Sequence, residues 1–175
     1  MKIILVTGAS GGIGEAVVNR LAGRKHNLLL VARNAQKLEE QCTKLRKDFG
    51  IHADFIAADL SKNGTAQEIF EATQKRNLEV TMLINNAGVG SGGEFSSLSL
   101  KSELDLIQLN VSSLVALTHL FYLICKSVKK VSSLMWHLWL LLCLSHIWPL
   151  MLPVKHSYVH LRRLSPRNVD LIMCM

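Results

Sequence analysis

An apolar run, Lys2–Thr7 (KIILVT), leads without interruption into a glycine-rich octapeptide, residues 7–14 (TGASGGIG), and from there into helical spacing. A short continuous apolar run bounded by such a turn marks a strand buried on both faces, as in a parallel sheet. In the segment after it, Ile13, Val17, Val18 and Leu21 fall on one helical face. The alternation then repeats. Residues 27–32 read as a second strand, and 34–49 as an amphipathic helix with Leu38, Cys42 and Leu45 at steps of four and three. Residues 52–58 read as a third strand, 65–73 as a helix and 80–84 as a fourth strand. From about 101 to 125 a long, mostly apolar helix is expected through Leu104, Ile107, Leu114 and Leu117. Strands alternating with helices are parallel strands joined by right-handed crossovers. The expected fold is therefore α/β, a doubly wound parallel sheet of the Rossmann-like kind.

The glycine-rich turn has chemistry of its own. Gly8 permits the tight turn, Gly12 lets the backbone approach a pyrophosphate, and Gly14 lets helix and sheet pack closely. The helix that follows offers free N–H groups and the positive end of its dipole to phosphates. Ser10 and Ile13 belong to the same turn and are expected to touch the same ligand. Such turns can also serve only to reverse the chain, but this one has the required context, after the first strand and before a helix. Arg33 and Asn34 follow the second strand, where an adenosine ribose would lie. No acid occurs from Leu28 to Asn34 to bind a ribose 2′-OH, whereas a guanidinium suits a 2′-phosphate by charge and by its planar donor fork. A solvated arginine at a strand end is the plainer alternative; the missing acid favours NADP over NAD.

The segments TGASGGIG, AADL (residues 57–60), NNAG (85–88) and LNVSS (109–113) resemble, in order and spacing, the short-chain dehydrogenase/reductases, over about residues 1–122. The resemblance implies an NADP(H)-dependent oxidoreductase that moves hydride between nicotinamide and a carbonyl or alcohol carbon. It implies that Asp59 and Leu60 flank the adenine. Asn86, Ala87 and Gly88 would line the cofactor channel, and Asn110 would be the catalytic-site asparagine that supports a proton-relay water.

A member of that family also needs a serine to hold the carbonyl oxygen, a tyrosine to donate the proton and a lysine four residues later. The chain's tyrosines are Tyr122 and Tyr158. Tyr122 is followed at the fourth position by Lys126, but it lies twelve residues after Asn110 in the same expected helix, where this spacing is an ordinary neighbour pair. Tyr158 is followed at that position by Arg162, and no suitable tyrosine follows Ser132 and Ser133.

Composition changes where the catalytic half should begin. All eleven glycines lie before residue 94, and all three tryptophans and three prolines lie after residue 130. Residues 1–105 have a net charge of +1 and residues 106–175 a net of +6. A near-neutral front and basic residues that merely flank an apolar block argue against nucleic acid. Residues 134–152 (LMWHLWLLLCLSHIWPLML) carry no formal charge over nineteen positions, close to a bilayer span, with lysines on both sides. His137, Ser145, His146 and Pro149 within the block argue against a membrane helix. The four cysteines show no metal-ligand spacing and nothing completes a histidine site, so no metal is expected. With no leader in MKIILVTGAS, the expected location is cytoplasmic.

The genetic code offers an account of the back of the chain. If the message is re-read one base earlier, Met135, Trp136 and His137 force Val and Ala, and their neighbours permit INVAS. Residues 145–157 then permit PYMA-x-YAASKAF. The hidden tyrosine falls at the junction of Leu150 and Met151, the hidden lysine four codons later at Val154 and Lys155, and the hidden serine thirteen codons before the tyrosine at His137 and Leu138. The expected organisation is thus an incomplete dinucleotide-binding domain over 1–126, stopped after its fourth strand. An out-of-frame apolar and basic tail, irregular or helical, occupies 127–175. Two functions follow: an oxidoreductase by descent whose carbonyl or alcohol substrate is accessible only with the frame restored, or a noncatalytic dinucleotide-binding fragment, associating with membrane if its apolar block allows.

Overall fold

The structure, a computed structural model, describes residues 1–127, with side chains through Tyr122. The expected tail over 127–175 lies outside the described residues, apart from Ser127 at the end of a helix. Four strands, β1 (Lys2–Thr7), β2 (Leu28–Ala32), β3 (Ala53–Ala57) and β4 (Glu79–Ile84), form one parallel sheet in the order β3-β2-β1-β4. Helices α1 (Gly12–Gly23), α2 (Ala35–Phe49) and α3 (Thr65–Lys75) connect them in turn. After β4 come a short 3-10 turn (Phe95–Ser97), α4 (Leu100–Ile107), a π-helical segment (Gln108–Ser112) and α5 (Ser113–Ser127). This is the doubly wound parallel architecture the alternation predicts.

Both faces of the sheet are covered, and the two-residue period of the strands divides the core in two. Ile4, Val6, Leu28 and Leu30 pack with Val18 and Ala22 of α1 and Leu38, Cys42 and Leu45 of α2. Ile3, Leu5, Leu29 and Val31 face the other way, toward Ile69 of α3 and Leu117 and Phe121 of α5. There Phe70 and Phe121 meet edge to face, ring centres 5.3 Å apart. The amphipathic pattern of α2 is held at both ends: the Asn34 side chain accepts the Lys37 N–H at 2.9 Å, and Gly50 closes the helix in the left-handed region at φ 63°.

Two packing expectations need correction. Ile13 shares a helical face with Val18 by spacing but is 47% exposed, in the first turn of α1. The helix expected from 101 to 125 is interrupted. In the π segment the Ser113 N–H reaches back five residues to the Gln108 carbonyl, and the Ser113 hydroxyl donates to the bypassed Leu109 carbonyl at 2.6 Å. One inserted residue turns the helix by about 100°. Leu104 and Ile107 therefore stay 55% and 44% exposed, while Leu106 takes the inward position in α4 and Leu114 and Leu117 do so in α5. The span Leu100–Tyr122 is long and apolar enough to cross a bilayer, but Leu117 and Phe121 of it pack into the core on one face of the sheet.

Candidate functional site

The carboxyl ends of the strands gather the predicted residues. With β1 central, the ends of β2 and β3 lie to one side of the glycine-rich turn and the end of β4 to the other. Arg33, Asn34, Asp59 and Leu60 thus belong to one flank; Asn86, Ala87, Gly88 and, through a loop contact, Asn110 belong to the other. Gly8, Ser10, Gly12, Ile13 and Gly14 form the middle. A crevice at the strand ends, where the chain winds both ways, is where open α/β sheets take ligands.

The middle is built on close approach. Gly8 has φ +65°, and a Cβ there would lie 2.8 Å from the Ala87 Cα. At Gly14 a Cβ would collide with the Gly8 carbonyl and come within 2.6 Å of the Asn86 side-chain nitrogen. Gly12, at φ +57°, has nothing within 4 Å of such an atom and borders open space. No side chain caps the N-terminus of α1, whose N-cap position is Gly11. Its first N–H groups are therefore free of the side-chain competitor that usually satisfies them.

Thr7, quoted in the sequence motif but given no role there, is the hub of the floor. It is buried. Its hydroxyl donates to the Ile84 carbonyl at 3.3 Å and accepts the N–H groups of Asn86 and Ala87, each at 3.0 Å. One donor and two lone pairs are all used. The signal available in the sequence was a β-branched hydroxyl at the last position of a buried strand. Asn86 completes the fastening, its side-chain NH₂ donating to the carbonyls of Thr7 at 3.2 Å and Gly8 at 3.1 Å. Its amide therefore braces the turn from beneath. Asn85, buried beside it, donates to the Thr118 hydroxyl at 3.1 Å and ties β4 to α5.

On the far flank Asn110, within the π segment, holds Val89 by both backbone groups: its Oδ1 accepts the Val89 N–H at 3.0 Å and its Nδ2 donates to the Val89 carbonyl at 2.8 Å. One lone pair on Oδ1 and one N–H on Nδ2 are left over from this grip. On the near flank Arg33 and Asn34 are exposed. The Asn34 Oδ1 is taken by the cap of α2. Asp59 Oδ1 accepts both the Ser61 hydroxyl at 2.7 Å and the Ser61 N–H at 3.0 Å. The hydroxyl bond, with help from the N–H and the nearby Arg33 and Lys62 charges, holds this carboxyl below the usual range against partial burial. Leu60 is buried in the second core cluster, so only its backbone can meet a ligand. Among the described residues the ion pairs are Arg76 with Asp54 and Lys101 with Asp105, so no carboxylate lies within ion-pair distance of Arg33, although Asp59 is near enough to feel its charge.

These residues fit a dinucleotide: an uncapped helix end, an opening at Gly12, and an exposed guanidinium past β2 with no carboxylate in ion-pair distance. Comparisons with known proteins agree. The family model described as short chain dehydrogenase matches residues 2–130. Hydroxysteroid dehydrogenase-like protein 1 of Gallus gallus is 34% identical over 119 residues, which is 66% of this chain and 35% of that protein. The bulky-bulky ketone specific alcohol dehydrogenase from Comamonas testosteroni superposes with a TM-score of 0.72 at 30% identity, covering 77% of this chain and 54% of that one. A short-chain dehydrogenase from Sphingobium yanoikuyae in complex with NADPH gives 0.72 at 28% identity, over 77% and 52%. The chain thus spans about a third of the curated relative and about half of each solved chain.

Proposed function

This chain belongs to the short-chain dehydrogenase family, and from that premise we propose that its first 127 residues bind NADP(H). The observation that carries the reading is Arg33, exposed past the end of β2 with no acid from Leu28 to Asn34 and no carboxylate within ion-pair distance among the described residues. Its planar fork suits a ribose 2′-phosphate. The N-terminus of α1 and Gly12 take the pyrophosphate, with Ser10 and Ile13 alongside. Asp59 and the Leu60 backbone border the adenine, and Ala87, Gly88 and Asn110 border the nicotinamide. When bound, the nicotinamide supplies or accepts the hydride of the family's chemistry. The chain's own part is to orient it: Thr7 and Asn86 fix the floor, and Asn110 fixes Val89.

The family's proton donor has no counterpart at the expected place, since Tyr122 shares a helix with Ser113 and Tyr158 lacks its lysine. The chain as written is therefore proposed to bind cofactor without reducing a carbonyl or oxidising an alcohol. A version re-read one base earlier beyond about residue 122, with the serine, tyrosine and lysine restored, is proposed to do both.

The test is an equilibrium titration of the full chain with NADPH and NADH, followed by nicotinamide fluorescence. Wild type binds NADPH more tightly, and Arg33→Ala removes roughly 1.5–3 kcal/mol of NADPH affinity while leaving NADH almost unchanged. Equal losses for both cofactors would contradict the assignment.

A further inference from the structure

We infer that Lys37 is a second specificity-determining residue for the cofactor's 2′-phosphate, a role that rests on the NADP(H) reading above. Lys37 lies in the first turn of α2, on the surface. Its Nζ returns to the glycine-rich turn, 3.5 Å from where a side chain on Gly11 would begin. Gly11 has no side chain, and the ammonium occupies that side of the turn. The backbone that aims it is fixed, since the Asn34 Oδ1 accepts the Lys37 N–H at 2.9 Å.

Lys37 thus brings a charge from α2, the helix that follows Arg33, up to the glycine turn. Among the described residues neither cation has a carboxylate within ion-pair distance. The acid on this flank, Asp59, has Oδ1 engaged twice by Ser61. Two cations, one just after β2 and one beside the glycine turn, suit a dianion better than a monoanion. A guanidinium provides the directed fork and an ammonium the point charge. The pyrophosphate, common to NADH and NADPH, is served by the N–H groups of the α1 N-terminus; Lys37, carried by the helix that follows Arg33 and reaching Gly11 from outside α1, is assigned to the group that distinguishes the two cofactors.

The experiment titrates the full-length wild type, Lys37→Gln, Lys37→Arg and Lys44→Gln with NADPH and NADH, each chain first matched to wild type by circular dichroism. Lys44→Gln removes one charge from the exposed face of α2 away from the turn. The expected result is roughly tenfold weaker NADPH binding for Lys37→Gln with NADH within twofold of wild type. Lys37→Arg should retain most of the NADPH affinity and Lys44→Gln all of it. A Lys37→Gln chain that still prefers NADPH as wild type does overturns the inference and leaves the Arg33 reading intact. Equal weakening of both cofactors also overturns it, by placing Lys37 on the pyrophosphate. A wild type without preference overturns the NADP(H) reading and this inference together.

Discussion

Thr7 carries the heaviest structural duty of any single side chain in the crevice. Replacing it with Val keeps the shape and removes the hydroxyl, leaving the N–H groups of Asn86 and Ala87 without their shared acceptor. Each unsatisfied buried N–H costs about 1–3 kcal/mol. Thr7→Val should therefore lower stability by about 2–4 kcal/mol, read from the shift in urea midpoint at constant slope; a shift under about 0.5 kcal/mol would deny Thr7 that role. Cys42 illustrates the opposite environment. Burial between α2 and the sheet pushes its thiol up to about 11. The unfolded thiol ionises near 8.5, so the contribution of this group to stability is present below that pH and is lost as pH rises toward the folded value. Alkylation mapped by peptide mass spectrometry at pH 8 should leave Cys42 unmodified in the folded chain and modify it in urea. The sequence showed Cys42 as a core position by spacing alone. It could not show that the Asn86 amide faces inward, since two adjacent asparagines serve equally well as ligands or braces until the turn above them is built.

At the scale of elements, the parallel strands and the helices between them were legible because each has one dominant period. The π segment was not, because its cause is a contact between elements: Asn110 grips Val89 in the loop after β4, and Ser113 compensates the bypassed carbonyl. Periodicity along 101–125 reads through such a break as one continuous helix through Leu104, Ile107, Leu114 and Leu117. Removing the grip tests this coupling. Asn110→Leu should speed amide exchange at Val89 by about tenfold, corresponding to roughly 1.4 kcal/mol of lost local protection, while the β1 amides stay protected. Unchanged exchange at Val89 would mean that the loop is held by something else. The glycine turn depends on approach in the same way: Gly14→Ala would drive a methyl into the Gly8 carbonyl, with an expected loss of about 1–3 kcal/mol.

For the molecule as a whole, the front of the chain satisfies one fold consistently, and the family model follows it to residue 130. The composition changes close to that point. We propose that the message has lost one base, or gained two, between about residues 122 and 134. Sequencing the transcript should show an open frame one base earlier that encodes INVAS, then the tyrosine, then its lysine; stop codons there would refute the frame argument and leave residues 134–152 as a genuine apolar segment. Neither outcome alters the central claim, that the described part is a nucleotide-binding crevice assembled from the strand ends. Amide exchange of the full chain with and without saturating NADPH, read by mass spectrometry, addresses that claim directly. The account predicts slowed exchange confined to peptides covering residues 8–15, 33–38 and 85–90, with the outer face of α2 unchanged. Protection elsewhere, or none at a concentration of NADPH that saturates a control dehydrogenase, would contradict it.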